Sequence, residues 1–217
     1  MIKAAHLYYD LLNLYGDSGN IKALEYHLKS SGNEVSVDRL KMGDKINFSA
    51  YDMVYIGSGT EHNLMLALDD IMQYREDIIT FKKNDGILLA TGNSIELFGK
   101  SIDKGKIQKQ ALSVFDFNVK YTERTVKDVC TKCSLINEDI IGFENHSGIL
   151  STDESIIIDN NFILTYIIGP ILVRNPQLTQ YFITKLAEKK PEDNISVTSD
   201  YSYETEAYNI FKQSMKV

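Results

Sequence analysis

The sequence predicts an α/β fold: a mostly parallel sheet flanked by helices, with antiparallel strands added in its C-terminal half. Three observations lead there. Ile87, Leu88, Leu89 and Ala90 form an unbroken apolar run between turn signals, as a strand buried on both faces requires. Strand and helix patterns alternate through the first hundred residues, the order of right-handed βαβ crossovers. Beyond Gly105, short strand patterns follow one another without intervening helices, which points to antiparallel pairing.

Composition sets the limits. At 217 residues and 43% hydrophobic content the chain can bury the core of one domain, so 1–217 reads as a single domain, with 192–217 as linker and possible C-terminal helix. The net charge of -7 and the lack of a basic, aromatic-interleaved run argue against nucleic acid as a partner. Met1-Ile2-Lys3 leads directly into a strand pattern, and no stretch approaches the roughly 20 apolar residues that span a bilayer. A cytoplasmic protein without membrane association is expected, and no cofactor is implied.

Taken in order, Lys3 to Tyr9 is a first strand. The cap residues Asp17-Ser18-Gly19-Asn20 open a helix carrying Ile21, Leu24 and Leu28, and Gly32 ends it. Val35 and Val37 alternate with polar residues in a second strand. Tyr51 to Ile56 is a third, opening into the turn Gly57-Ser58-Gly59. Glu61 to Lys83 is helical, with Leu64, Leu68, Ile71, Met72, Ile78, Ile79 and Phe81 inward and a break allowed near Arg75. Asn84-Asp85-Gly86 stops it before the 87–90 run.

Thr91-Gly92-Asn93 then reverse the chain into a helical turn with Ile95, Leu97 and Phe98 on its apolar side, closed by Gly99 in the left-handed conformation. Strand patterns follow at Leu112 to Phe117, Val119 to Thr122, Thr125 to Ile136, Ile140 to Phe143 and Phe162 to Ile168. Asn175-Pro176 opens a helix through Leu178, Tyr181, Phe182 and Leu186 that Pro191 stops. Tyr201 to Lys216 forms the last.

The strand-turn-helix at 87–99 is where several α/β enzymes hold a nucleophile, in strained backbone near helix N-terminal N–H donors. Its sharp position here is Gly92, which has no side chain. The stretch resembles the elbow of class I glutamine amidotransferases of the cobyric acid synthase and lipid II isoglutaminyl synthase group, which reads roughly Cys-Gly-Gly-Tyr-Gln-x-Leu-Gly. Aligned backwards from Gly99, the Cys falls on Gly92, the two glycines on Asn93 and Ser94, and the Gln on Glu96. Leu12 to Asn20, Gly57-Ser58-Gly59, Gly142 to Gly148 and Thr165 to Leu172 agree in order, so the resemblance covers most of the chain.

The resemblance implies a flavodoxin-like class I amidotransferase domain. Active members hydrolyse glutamine through a Cys thiolate activated by a His and pass ammonia to an ATP-dependent ligase partner, here a Mur-ligase-like synthetase. It also implies that the Gly57-Ser58-Gly59 turn supplies a backbone N–H to an oxyanion hole, and that Arg124, Asn145 and His146 line the glutamine pocket. A guanidinium suits a carboxylate, though Arg124 also reads as an ordinary surface residue. The family His precedes Gly-Pro, where this chain has Ile168. Ile cannot accept a proton, and Gly92 offers no nucleophile. A catalytically degenerate, non-hydrolytic subunit is the expectation. One rival is a hydrolase using Thr91 or Ser94 with His146 as base; another is a glutamine-binding or scaffolding module.

Cys130 and Cys133, the only cysteines, fall in a strand pattern, where positions three apart face opposite sides. They read as two ordinary thiols. His6, His27 and His62 show no metal-ligand spacing, and no metal is expected.

Overall fold

The structure, a computed structural model, describes residues 1–215; Lys216, the predicted end of the last helix, lies outside them. In chain order, β1 (Ile2–Leu7) is followed by α1 (Gly19–Ser30), β2 (Val35–Leu40), β3 (Met53–Ile56), α2 (Glu61–Ile71), α3 (Arg75–Lys83) and β4 (Ile87–Thr91). A 3-10 stretch at Gly92–Phe98 leads to β5 (Ser101–Asp103), β6 (Gln108–Gln110), β7 (Asn118–Lys132), β8 (Asp139–Leu150), β9 (Ile156–Asp159), β10 (Phe162–Thr165) and β11 (Ile167–Ile168). Three helices close the chain: α4 (Ile171–Arg174), α5 (Pro176–Lys189) and α6 (Ser202–Ser214).

The first sheet runs β2-β1-β3-β4-β10-β9, parallel except for β9. Its central strands read as continuous apolar runs because both faces are covered. Ala5, Leu7, Val54, Ile56, Leu88, Ala90 and Leu164 enter one core, under Leu64, Leu68, Ile71, Ile78 and Phe81 of α2 and α3. The alternate residues Ile2, Ala4, Met53, Tyr55, Ile87, Leu89 and Ile163 enter the other, under α1 and α5. Each fully buried Val, Leu or Ile of these strands contributes about 1.5–3 kcal/mol. The pairing brings Leu7, Ile56, Ala90 and Leu164 level, so the loops leaving β1, β3, β4 and β10 converge at one end of the sheet.

Several expectations are corrected. The antiparallel strands do not simply extend the first sheet: only β9 does, and the others form a second, five-stranded sheet ordered β11-β8-β7-β5-β6. Leu112 to Phe117 is not a strand. Its apolar residues Leu112 and Phe117 are buried in the core, while its backbone bonds to Leu97, Phe98 and Gly99 across the elbow. The patterns at 119–122 and from 125 onward belong to one strand, β7, with an irregularity between Tyr121 and Thr125. The first strand ends at Leu7, because Tyr8 turns to φ 53.

Gly99 is extended (φ -73, ψ -173), not left-handed, and β5 continues directly from it. The helical segment 61–83 does break, through a 3-10 turn at Met72–Tyr74. At its end Asp85, not Gly86, takes the left-handed conformation (φ 55), and Phe81 packs where a Cβ on Gly86 would stand.

The cysteine strand ends at Lys132, short of Ile136, so Cys133 lies in the following turn. Cys130 is exposed and Cys133 buried, both free thiols. Among the described residues, no cluster of three or more His, Cys, Asp or Glu side chains could hold a metal, and no helix is long and apolar enough to cross a membrane.

Candidate functional site

At the convergent end of the first sheet, Thr91 closes β4 and the chain turns sharply at Gly92, whose φ of 61 lies in the left-handed region that glycine enters without steric cost. The conformation is that of an elbow tip. A Cβ at Gly92 would lie 2.2 Å from Ser58 Oγ, 2.4 Å from Ser58 Cβ and 2.9 Å from Ile168 Cγ2. Gly92 and Ile168 are therefore neighbours, and Ser58 shares the corner with them. Ile168 is not at the end of the buried strand that leads to it, as its sequence position implies. Thr165 Oγ1 accepts from Ile167 N–H at 3.0 Å, and the chain shifts into β11, where Ile168 pairs with Phe143 of β8 in the second sheet.

The turn after β3 is fixed by close approach. A Cβ on Gly57 would stand 2.3 Å from the Leu12 carbonyl, and one on Gly59 2.4 Å from Leu12 Cδ2, so the loop after β1 can pack against this turn only because both are glycine. Its amides are already engaged. Ser58 N–H donates to Asp17 Oδ2 at 2.7 Å, and Gly59 N–H donates to Asn93 Oδ1 at 3.0 Å. The Asn93 amide returns a bond to Gly59 O at 2.9 Å, and Ser58 Oγ donates to Asn93 Oδ1 at 3.3 Å.

Asp17 is fully buried and anchors this corner. It accepts from Thr91 Oγ1 at 2.5 Å and from Asn20 Nδ2 at 2.9 Å besides Ser58, while Asn20 Oδ1 accepts from Leu172 N–H at 2.8 Å. Burial pushes the Asp17 carboxyl up, against the downward pull of its bonds to Thr91, Ser58, Tyr55 and Asn20.

The two candidate hydroxyls are occupied. Thr91 and Ser94 are both fully buried; Thr91 donates to Asp17, and Ser94 Oγ donates to the carbonyls of Thr91 (2.8 Å) and Ile56 (3.2 Å). Neither bonds to His146. That ring stacks on Tyr166 with centroids 3.7 Å apart, its Nδ1 donating to Gly148 O at 2.7 Å and its Nε2 lying 3.5 Å from Glu144 Oε2. A hydroxyl needs a base within hydrogen-bond reach to become a nucleophile; His146 reaches neither, and Thr91, whose partner is the Asp17 carboxyl, is fully buried with it.

A family model describing a CobB/CobQ-like glutamine amidotransferase domain matches residues 3–162. The chain belongs to this amidotransferase family. It is 29% identical over 219 residues to the lipid II isoglutaminyl synthase (glutamine-hydrolyzing) subunit GatD of Streptococcus pneumoniae, covering 90% of this chain and 84% of that protein. The GatD subunit of Staphylococcus aureus is 27% identical over 205 residues, covering 85% and 84%. Among solved structures, a glutamine amidotransferase from Thermotoga maritima superposes with a TM-score of 0.53 at 11% identity, covering 98% of this chain and 94% of that one. The glutaminase domain of Trypanosoma brucei CTPS with bound acivicin gives 0.53 at 7% identity, covering 88% and 94%. The structural matches establish the shared fold.

Beside the elbow of this amidotransferase domain lies a cavity of about 460 Å³, to which Gly59, Asn93, Arg124, Asn145 and His146 all contribute. Asn145 Nδ2 donates to the Tyr15 hydroxyl at 2.7 Å across its mouth. Gly57, Ser58, Gly92 and Ile168 are not among the residues that line it. Sequence reasoning misses Asp17, which looks like one of four helix-cap residues, and misses Asn93 as a site residue. The signal for Asn93 is a side chain at an elbow position where the family has glycine. Glu96 also goes unused in the sequence, although a carboxyl inside the apolar stretch Ile95 to Phe98 is itself a signal.

Proposed function

We propose that this chain is the glutaminase-like subunit of a two-subunit amidating enzyme and that it does not hydrolyse glutamine. One observation carries the reading: the space a nucleophile on Gly92 would need is filled by Ser58 and Ile168. The amides of Ser58 and Gly59, the donors next to the elbow, support it, since Asp17 and Asn93 already accept from them. An oxyanion needs donors without a resident acceptor.

The partner in this reading is an ATP-dependent, Mur-ligase-like synthetase in the cytoplasm; the names of the two GatD relatives, subunits of a lipid II isoglutaminyl synthase, support a partner subunit and a lipid II substrate. The chain would serve it as a bound, non-hydrolytic subunit. The test is ammonia release from glutamine by the purified chain, alone and with its co-purified synthetase, with no release above buffer expected. Turnover abolished by Thr91→Ala, Ser94→Ala or His146→Ala would overturn the reading and install a hydroxyl-dependent hydrolase.

A further inference from the structure

A smaller cavity of about 110 Å³ shares His146 with the one beside the elbow, and its wall adds Lys127, Glu144, Ile149, Asp153 and Glu154. Two buried side chains on that wall carry polar atoms that no protein group meets. Glu144 is 1% exposed; its Oε2 takes Lys127 Nζ at 3.2 Å, while its Oε1 has no hydrogen-bond partner among the described residues. His146 is 8% exposed, and its Nε2 is likewise without a partner among them. Because Nδ1 donates to Gly148 O at 2.7 Å and the stack on Tyr166 fixes the ring, the neutral imidazole presents Nε2 as a second acceptor.

The surroundings fix the charge of what fits there. Burial raises the Glu144 carboxyl, but His146, Ser155 and Lys127 hold it at about 2, so it is a carboxylate at neutral pH. Asp153 and Glu154 on the same wall join none of the ion pairs among the described residues, and Lys127, their one lysine neighbour there, has a side chain that is 58% exposed. Three carboxylates thus face one solvated ammonium. A buried carboxylate oxygen without a donor is costly, and a ligand that brings several N–H groups and a positive charge relieves that cost at both acceptors. Ile149 and Leu150 supply apolar wall beside them, suited to methylenes.

We propose that this cavity binds an alkylammonium group, with its N–H donors on Glu144 Oε1 and His146 Nε2 and its methylenes against Ile149. The inference goes beyond the non-hydrolytic reading and does not depend on it. Lys127 is the resident competitor: its ammonium holds Oε2, so a second cation on Oε1 of the same carboxylate meets it at close range. Removing that ammonium therefore tightens the site, the opposite of what loss of a supporting residue would do.

The test is an NMR titration of the nitrogen-labelled full chain with n-butylammonium chloride, with Nα-acetyl-L-lysine N-methylamide as the same group on a peptide unit, and with n-butanol as the uncharged control. Saturable shifts should appear at the Glu144, Ile149 and Glu154 amides with butylammonium and not with butanol at the same concentration. Binding of butylammonium alone assigns the site to a free amine, whereas binding of both admits a lysine side chain. Glu144→Gln should weaken binding by about tenfold or more, through loss of a charge-assisted bond. Lys127→Met, at an exposed side chain whose loss leaves the core untouched, should tighten it by about threefold. Asp153→Asn with Glu154→Gln should weaken it less than Glu144→Gln does.

Absence of saturable shifts with butylammonium, equal shifts with butanol, unchanged affinity in Glu144→Gln, or weaker binding in Lys127→Met would each overturn the proposal. Ammonia release from glutamine, assayed separately, bears on the non-hydrolytic reading alone.

Discussion

Asn93 holds the backbone of Gly59 at both its polar groups: the Asn93 side-chain oxygen accepts from Gly59 N–H at 3.0 Å, and its amide nitrogen donates to Gly59 O at 2.9 Å. The elbow and the neighbouring turn are thereby closed against each other by a side chain that the family's glycine could not supply. The first prediction follows from this contact. Gly92→Cys with Ile168→His, which supplies a thiol and an imidazole at the two positions the proposal reads as degenerate, should release no ammonia, because the new Cβ meets Ser58 Cβ at 2.4 Å and Ser58 cannot rotate its own Cβ away. Overpacking of this kind costs about 1–3 kcal/mol. Adding Ser58→Gly, which removes the two nearest clashing atoms, should recover that stability in urea denaturation. Ammonia release by the double variant alone would show that the corner relaxes more readily than its packing implies.

Asp17 is the second. Replacing it with Ala strands the Ser58 amide in a site without solvent access and takes one partner from the Thr91 hydroxyl and the Asn20 amide, both of which keep the Tyr55 hydroxyl. An unpaired buried donor costs about 1–3 kcal/mol, so a loss of at least that order is expected. Asp17→Asn retains one acceptor and should lose less. Equal stability of both variants to wild type would show that Asp17 does not anchor the corner.

Glu96 should leave a signature in the pH dependence of folding. Its folded carboxyl titrates near 8 against 4.5 for the ordinary group, so between those values the native state holds more protons than the unfolded chain. Stability from this group is complete below about 4.5 and is lost as pH rises toward 8, with a slope of at most about 1.4 kcal/mol per pH unit. Glu96→Gln should remove that slope and stabilise the protein at pH 8. A variant whose stability profile parallels wild type from pH 5 to 8 would contradict this.

Glu144 should act at the other limb. Burial raises its carboxyl, but His146, Ser155 and Lys127 outweigh that and hold it at about 2. Its contribution is therefore present above about 4.5 and lost as pH falls toward 2. Glu144→Gln should unfold at higher pH than wild type in acid titration followed by circular dichroism; an unchanged acid midpoint is the adverse result.

The N-terminal end of α6 packs on one histidine, while Tyr208 and Lys212 further along it bond to Asp139. The His27 ring stacks on Tyr201 at 4.2 Å, and its nitrogens meet Ser199 Oγ at 2.8 Å and Glu204 at 3.3 Å. His27→Ala should raise amide hydrogen exchange across α6 while leaving β4 protected. Uniform acceleration through both elements would mean that His27 supports the whole fold instead.

Much of this protein was legible in residue order. The buried run Ile87 to Ala90 required a covered central strand whatever its neighbours, because an apolar segment without alternation has no wet face. The elbow followed from Gly92 in its motif, and the proposal of a non-hydrolytic subunit from residue identity at Gly92 and Ile168, since neither glycine nor isoleucine can act as nucleophile or base. What residue order could not determine was which side chains meet across the convergent end of the sheet. Asp17, Ser58, Thr91 and Asn93 come from three separate loops and the end of a strand, and only the parallel register places them in one hydrogen-bonded cluster. Leu112 to Phe117 reads as a strand locally, yet backbone partners decide between strand and loop, and those partners lie in the elbow. The raised Glu96 carboxyl likewise has no local cause: it is a property of burial beside Tyr121 and Tyr166, 25 and 70 residues away. Residue order determined the strands, the elbow and the side chains available at each position; desolvation and long-range contact decided which of them meet.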